Sequence, residues 1–332
     1  MFSSSGEGAV HSIKSGHMHC SKLTGGLGQM LTDLRQEFAR TVAHDSPATF
    51  RNCFVRSSVR VQSATLIPRL EKVLFQKFIC LIVGCLMLAA SAHAQIVGVV
   101  MMHGKHGTPA QLQQLAATVA NAGFLVDRPE MCWSAARIYD RTYLECFADI
   151  DAAATRLKRH GATAIVVLGM SLGGNAALGF GARRQDLKGI IALAPAHAPE
   201  LLRRRPDIAE SIASAQAAVV AGKAEEKETF NDIDLGRIFP VNTTPVVYLS
   251  FFGPESAAVM PENAAHLTAP LLMVSGSNDP TQSNAGNIFA RAPFDPRNEH
   301  LTVEADHLGT PAASAAAVLS WLKMLAHSGL AQ

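Results

Sequence analysis

Residues 164–174 read AIVVLGMSLGG, and this stretch decides the fold. An apolar, β-branched run ends in G-x-S-x-G, and small residues with a helical pattern follow. This strand–turn–helix context is that of a nucleophile elbow, in which a serine stands on a tight turn after a buried strand. The turn leaves no room for bulk two residues either side of the serine, which accounts for Gly169 and Gly173. We therefore predict that Ser171 is a nucleophile and that the next helix points its free N–H groups toward it.

A serine hydroxyl is a weak nucleophile at neutral pH, so it needs a base and an acid that orients the base. Residues 271–275 read as a second buried strand, followed by a loop that contains Asp279. Residues 300–304 read as a third strand, followed by a loop that contains His307. The order along the chain is serine, acid, histidine, with each residue just beyond a predicted strand. We predict that His307 is the general base and that Asp279 orients it.

Other interpretations of these two loops stay open. Asp306 and Glu304 are alternative acids, although both lie too near His307 along the chain to approach its imidazole from a separate loop. Taken singly, His307 reads as a surface histidine and Asp279 as a turn residue before proline.

A glycine-rich segment follows the strand predicted at residues 96–102 and reads HGKHG. Its backbone would come close to a reacting carbonyl group. We predict that the N–H groups of Lys105 and Leu172 are the oxyanion donors, and that His103 and Gly104 contact the substrate. A metal site built on the two histidines of this segment is the alternative. It lacks a carboxylate or cysteine cluster nearby, so no metal is expected.

The chain alternates strands and helices throughout. Strands are predicted near 96–102, 124–128, 164–168, 189–193, 271–275 and 300–304, and helices near 109–122, 143–160, 173–184 and 311–327. Near-continuous apolar strands separated by helices favour a three-layer α/β sandwich with a mostly parallel sheet. Right-handed crossovers place ligands at the carboxyl ends of such strands, where Ser171, Asp279 and His307 are predicted to lie. Since GMSLGG is not a G-x-G-x-x-G fingerprint, no dinucleotide or other cofactor is expected.

Together these motifs resemble those of the α/β-hydrolase superfamily, and more loosely its dienelactone-hydrolase-like and esterase-like members. The resemblance covers residues 96–332 and rests on HGKHG, GMSLGG, GSNDP and DHLG. It implies an α/β-hydrolase fold with a small helical cap insertion and the three catalytic roles assigned above. There are two departures from the pattern. Dienelactone hydrolases carry cysteine at the elbow where this chain has Ser171, and full-length members have further strands before the oxyanion-loop strand.

The longest gap between predicted strands is the least regular part of the chain. The resemblance implies that residues 196–265 form a cap over the site. Residues 206–221 have helical spacing, with three arginines before them, and an apolar run with Tyr248, Phe251 and Phe252 lies further on. The arginines either bind an anionic substrate or form a solvated helix face. The aromatic side chains either line an acyl pocket or pack in the core.

A targeting segment precedes the first predicted strand. Lys77 is followed by an apolar run over residues 78–90 and an A-x-A site, which is typical of a secretory signal peptide. We expect residues 73–94 to be this signal and residues 95–332 to be a periplasmic or secreted domain. An uncleaved membrane anchor is the second interpretation, because the run nearly spans a bilayer, and a lipoprotein box at Cys85 is the third.

Residues 1–72 show no sustained periodicity. We expect them to be disordered or to be an over-extended reading frame, with the physiological start near Val73 or Leu74. A signal peptide has to lie near the N-terminus to be recognised, and this is the reason to consider an over-extended reading frame.

Composition agrees with one globular domain and an appendage. The 332 residues are 48% hydrophobic and 17% charged, and the net charge of +2 is too near balance to favour a nucleic-acid partner. Of the six cysteines, Cys132 and Cys146 lie beyond the signal. In an oxidising periplasm this pair either forms a disulfide or remains two buried thiols.

The predicted function is a secreted serine hydrolase that acts on a small-molecule ester or acyl substrate through an acyl-enzyme. A carboxylic ester hydrolase is the first interpretation. A serine peptidase or an acyltransferase would use the same residues, because the pocket sets the acceptor and the leaving group. A non-catalytic binding protein that keeps the fold is the alternative from another class. Contact with a membrane is expected only through the signal or anchor segment.

Overall fold

The computed structural model describes residues 95–328. The expectations for residues 1–94, the signal peptide among them, lie outside the described residues. Within residues 95–328, no helix combines the length and the apolar character needed to cross a bilayer.

Eight strands are found in the described chain, and six of them form one parallel sheet. The strands are β1 Val97–Met102, β2 Leu125–Asp127, β3 Ala164–Met170, β4 Leu187–Leu193, β5 Glu228–Asp234, β6 Arg237–Thr243, β7 Leu271–Gly276 and β8 Glu299–Val303. The sheet has the order β2-β1-β3-β4-β7-β8, and all of its neighbouring strands run parallel. The carboxyl ends of β1, β3, β4, β7 and β8 therefore meet at one edge.

The central strands carry buried apolar side chains on both of their faces. In β3, Ile165 and Val167 face one hydrophobic core, and Val166 and Leu168 face the other. Successive side chains of a strand point to opposite faces, so a continuous apolar run suits a strand covered on both sides.

Helices cover both faces. Their bounds are α1 Gln113–Asn121, α2 Phe147–Arg159, α3 Leu172–Gly181, α4 Pro199–Leu202, α5 Pro206–Val220, α6 Pro245–Phe252, α7 Met260–Ala265, α8 Ala285–Phe289, α9 Thr310–Ala313 and α10 Ala315–His327, with short 3-10 turns at Pro109–Leu112 and Pro280–Gln282. Side chains of α2 and α3 belong to one core, and those of α1 and α10 to the other. The predicted three-layer α/β sandwich is confirmed.

All six predicted sheet strands are present, and the differences lie at element ends. The strand before the elbow continues to Met170. The expected helix from residue 311 is divided at Ser314, whose buried hydroxyl donates to the Pro311 carbonyl oxygen at 3.1 Å. A serine that bonds the preceding turn competes with the regular helical pattern.

The insertion between β4 and β7 is not purely helical, contrary to the expectation of a helical cap. It contains α4 to α7 and also the antiparallel hairpin of β5 and β6. The sequence pattern did not predict the hairpin, because the fully buried Asp232 lies where a strand pattern would have an apolar side chain. Phe230 and Asp232 share the inward face of β5, two residues apart.

Burial shows where the aromatic side chains and the arginines of the insertion lie. Tyr248, Phe251 and Phe252 lie on α6 and belong to the hydrophobic core, where Tyr248 stacks on Phe252 with ring centroids 4.6 Å apart. The arginines at residues 203–205 are exposed to solvent. The aromatic side chains therefore pack in the core, and the arginines lie on a solvated face.

A disulfide joins Cys132 to Cys146, with their Cα atoms 5.6 Å apart. It links the loop after β2 to the residue preceding α2. The loop that it closes carries Trp133 and Tyr139, whose side chains are buried. The disulfide therefore closes part of the long irregular connection between β2 and α2.

Replacing both cysteines with serine should lower the free energy of unfolding by about 3 kcal/mol. The bond spans 14 residues, and a closed loop of about 15 residues restricts the unfolded chain by about that amount. Urea unfolding of the oxidised protein and of the double variant measures the difference. The same experiment under a reducing agent should abolish it. An equal stability of the two oxidised proteins would contradict the prediction.

Candidate active site

The turn between β3 and α3 holds Ser171 in an unusual backbone conformation. Its φ is 56° and its ψ is −121°, a left-handed region that non-glycine residues seldom occupy. The Ser171 N–H donates to the Leu193 carbonyl oxygen at 3.0 Å, and the Ser171 carbonyl oxygen accepts from Asn175 N at 3.0 Å and Ala196 N at 3.1 Å. Three backbone hydrogen bonds thus fix the strained residue. Strain of this kind is typical of functional sites.

His307 and Asp279 are in direct contact. The loop after β7 carries Asp279 and the loop after β8 carries His307, and both side chains are buried. His307 Nδ1 lies 2.6 Å from Asp279 Oδ2. The other carboxylate oxygen of Asp279 accepts from Thr281 N at 2.9 Å and from Thr281 Oγ1 at 2.7 Å. Since a carboxylate accepts, Nδ1 carries the proton, and Nε2 is left with the lone pair of a base.

The alternative acids do not contact the imidazole. Asp306 is exposed, and its carboxylate accepts from the Gly309 N–H at 2.7 Å, where it caps the turn that leads into α9. Glu304 is exposed. Among the three acids only Asp279 makes a hydrogen bond to His307 within the described chain.

Ser171 and His307 line the same cavity and are 6% and 7% exposed. Within residues 95–328 the serine hydroxyl makes no hydrogen bond to the imidazole. In serine hydrolases without substrate this bond is often long and tightens only when substrate is bound.

Two backbone N–H groups beside Ser171 are free to bind an anion. Leu172 is the first residue of α3, and Lys105 lies in the loop after β1; both line the cavity. In the described part of the chain neither N–H has a hydrogen-bond acceptor. An unpaired N–H at a helix start is an anion-binding group. Both predicted donors are therefore unpaired in this part of the chain, and their role stays a prediction.

The predicted substrate contact at His103 needs a correction. Its side chain is 1% exposed, and Nε2 accepts from the Met131 N–H at 3.1 Å. Nδ1 therefore carries the proton and donates to the Gly104 carbonyl oxygen at 2.8 Å. The Trp133 indole also donates to the His103 carbonyl oxygen at 3.0 Å. With both ring nitrogens engaged, His103 supports the loop from behind rather than contacting a ligand.

Gly104, the other predicted contact, packs directly against the nucleophile. A Cβ atom at this position would lie 3.1 Å from the Ser171 Cβ. Its own N–H is already engaged by Gln111 Oε1 at 2.7 Å. Gly104 thus provides space beside Ser171 and has no free donor for a ligand.

The Lys105 side chain reaches from the oxyanion loop to the inserted hairpin. Its Nζ lies 2.6 Å from Asp232 Oδ1 and donates to the Ile233 carbonyl oxygen at 2.9 Å. The Tyr139 hydroxyl donates to the other oxygen of Asp232 at 2.7 Å, and burial raises the pKa of Tyr139 well above its usual range. Asp232 is fully buried. No sequence pattern predicted this ion pair, because its members lie far apart along the chain.

His197 is buried and lines the same cavity as Ser171, and no sequence pattern predicted it. It lies in the loop after β4, at a φ of 73°, and Asn175 Nδ2 donates to its carbonyl oxygen at 2.7 Å. Burial lowers the pKa of His197 to about 3, so the ring is neutral. Its Nε2 lies 2.9 Å from the Phe251 carbonyl oxygen and donates to it, which leaves Nδ1 as a buried acceptor without a partner in the described chain.

The cavity above Ser171 has a volume of about 300 Å³. Its wall is largely apolar, with Leu201, Leu202, Ile233, Leu235 and Met260 from the insertion. Small-molecule sites are typically concave and apolar with a few placed polar groups. In residues 95–328 no cluster of three or more His, Cys, Asp or Glu side chains could hold a metal ion.

The fold is similar to that of solved structures of other proteins. Est1E from Butyrivibrio proteoclasticus with ferulic acid bound has a TM-score of 0.53 at 17% identity, over 71% of this chain and 92% of that one. A monoacylglycerol lipase from Paleococcus ferrophilus has a TM-score of 0.51 at 18% identity, over 69% and 94%. A structure from work on the metagenome-derived lipolytic enzymes LipS and LipT has a TM-score of 0.50 at 21% identity, over 71% and 95%.

This chain has the α/β-hydrolase fold. A family model described as serine aminopeptidase, S33, matches residues 94–230. The matched part of the chain includes the loop after β1 and the elbow, and it ends before Asp279 and His307. No curated protein sequence matches the chain.

Removing one charge of the buried ion pair between Lys105 and Asp232 should lower the stability of the fold strongly. Asp232→Asn or Lys105→Met should lower the free energy of unfolding by about 3–5 kcal/mol, because either change leaves its partner buried and uncompensated. Urea unfolding measures this cost.

The double variant Lys105→Met/Asp232→Leu should recover part of the lost stability, since an apolar pair of similar volume often replaces a buried ion pair without loss. The recovery is incomplete because the buried Tyr139 hydroxyl loses its acceptor. Glu226→Gln, which removes one partner of an exposed pair with Lys223 at 3.8 Å, is the control and should change stability little. Single variants as stable as the parent would contradict the account.

Proposed function

We propose that this protein is a member of the α/β-hydrolase superfamily, a secreted or periplasmic serine hydrolase that cleaves carboxylic esters through an acyl-enzyme. The observation that carries the proposal is the 2.6 Å contact between His307 and Asp279 beside a cavity that His307 shares with Ser171. A base with a defined tautomer, a strained serine and free N–H groups are the parts that acyl transfer needs.

In the proposed reaction the Ser171 hydroxyl oxygen attacks the ester carbonyl carbon, and His307 Nε2 takes the hydroxyl proton. Asp279 holds Nδ1–H and favours the charged imidazole. The N–H groups of Leu172 and Lys105 donate to the oxyanion, each contributing about 3 kcal/mol to the transition state. His307 then gives its proton to the leaving alcohol. Water, activated by the same imidazole, attacks the acyl-enzyme and restores the serine.

The location of the protein is proposed from the signal segment at residues 73–94. The disulfide between Cys132 and Cys146 supports an oxidising compartment, where such bonds persist. Membrane anchoring through the same segment is the alternative, and the mass of the secreted or membrane-bound product separates the two.

A peptidase is the second candidate, because the matching family model is described as a serine aminopeptidase. The same groups would cleave an amide, and the pocket decides between the two substrates. A panel of p-nitrophenyl esters, aminoacyl p-nitroanilides and acyl acceptors distinguishes esterase, peptidase and acyltransferase.

Ser171→Ala should lower kcat toward p-nitrophenyl butyrate by about 10⁶-fold, because the variant lacks the attacking oxygen. It should also abolish labelling by a fluorophosphonate. Ser283 lines the same cavity, so Ser283→Ala is the matched control and should keep both activities.

Labelling that persists in Ser171→Ala would place the nucleophile elsewhere. A purified parent protein that neither reacts with fluorophosphonate nor hydrolyses any member of the panel would favour a non-catalytic binding protein.

A further inference from the structure

The tip of the inserted hairpin carries a residue that its turn disfavours. Asp234 pairs with Arg237, so the connection is the two residues Leu235 and Gly236, with φ of 46° and 80°. A two-residue turn with positive φ at both positions prefers Asn-Gly or Asp-Gly. A bulky side chain in this region is strained. Such an outlier calls for a reason outside the turn itself.

Leu235 lines two neighbouring cavities. It is 50% exposed and lines the cavity that contains Ser171. It also lines a neighbouring cavity of about 470 Å³, together with His307 and Leu308. A leucine at this position therefore borders both the proposed reaction centre and the space outside it.

Two other leucines that line these two cavities are also about half exposed. Leu201 lines the first cavity and is 46% exposed, and Leu308 lines the second and is 58% exposed. Single exposed leucines are ordinary, but a group of them at the mouth of a cavity marks a binding surface.

The hairpin that carries Leu235 is held firmly behind its tip. Asp232 is bound by Lys105 Nζ and the Tyr139 hydroxyl, as described above. The Tyr248 hydroxyl donates to the Asn231 carbonyl oxygen at 2.7 Å. The position of the tip over the cavity is thus set by buried hydrogen bonds on β5.

The charges of the cavity disfavour an anionic chain. Among the described lining residues Lys105 is the one lysine or arginine, and Asp232 already pairs with it. A carboxylate on the substrate would find no unpaired ammonium or guanidinium group in this wall and would lose its hydration there.

We propose that Leu235, with Leu201 and Leu308, forms a subsite for an uncharged apolar chain of the substrate. The inference rests on the proposed function and assigns the substrate class to esters with an extended apolar chain, as opposed to acetates or half-esters of diacids. The strained tip is retained because a leucine there contacts the chain.

The test is Leu235→Asn, which suits the turn better and removes the apolar contact. Its Tm should rise by about 2–4 °C, because asparagine tolerates the left-handed conformation. The ratio of its kcat/KM for p-nitrophenyl octanoate to its kcat/KM for p-nitrophenyl acetate should fall about tenfold. Stability and long-chain activity thus change in opposite directions, which a general loss of structure would not produce.

Two further variants complete the experiment. Leu235→Met keeps an apolar side chain and should retain the preference for octanoate. Val220→Asn removes a valine that is 90% exposed and lines neither cavity, so it should leave both esters unaffected. An equal fall for both esters, no fall for octanoate, or a parent protein that prefers acetate would overturn the subsite. If Ser171→Ala keeps the parent's activity, the proposed function itself fails, whatever the chain-length profile.

Discussion

The close contact between the backbone at the start of α3 and the end of β1 is the constraint on which the site depends. A Cβ atom on Gly173 would overlap the Met102 carbonyl oxygen, and a Cβ atom on Gly169 would overlap the carbonyl oxygen of Gly173. With glycine at both positions the helix can start directly after the strand, and Ser171 takes its left-handed conformation between them. The same contact brings the free N–H of Leu172 next to the hydroxyl that it is proposed to serve.

The insertion belongs to the site as well as covering it. The Lys105 side chain leaves the oxyanion loop and ends in an ion pair with Asp232 on the hairpin, while Tyr139 binds the same carboxylate from the loop closed by the disulfide. Three segments that are distant in sequence therefore meet at one buried carboxylate. A buried charge left without its partner is costly, so the hairpin, the disulfide loop and the oxyanion loop are coupled in stability.

The fold was predictable because its signals are local. Apolar runs, glycine pairs and the spacing of Ser171, Asp279 and His307 depend on short stretches of chain, and six parallel strands follow from them. The hairpin was not predictable, since the inward position of Asp232 makes sense only once Lys105 is known to reach it. His103 was misassigned for a related reason. A histidine in a glycine-rich loop reads as a ligand, whereas both of its nitrogens bind backbone groups of the protein. Pairings between distant residues carry no periodic signal.

The most direct measurement is a crystal structure of the protein after reaction with a small fluorophosphonate, whose phosphoryl oxygen takes the place of the oxyanion. The account predicts a bond from phosphorus to Ser171 Oγ, with the phosphoryl oxygen about 2.7–3.1 Å from the N–H nitrogens of Leu172 and Lys105. His307 Nε2 should lie within hydrogen-bond distance of the Ser171 oxygen. An adduct on another residue, or a phosphoryl oxygen turned away from both N–H groups, would contradict it.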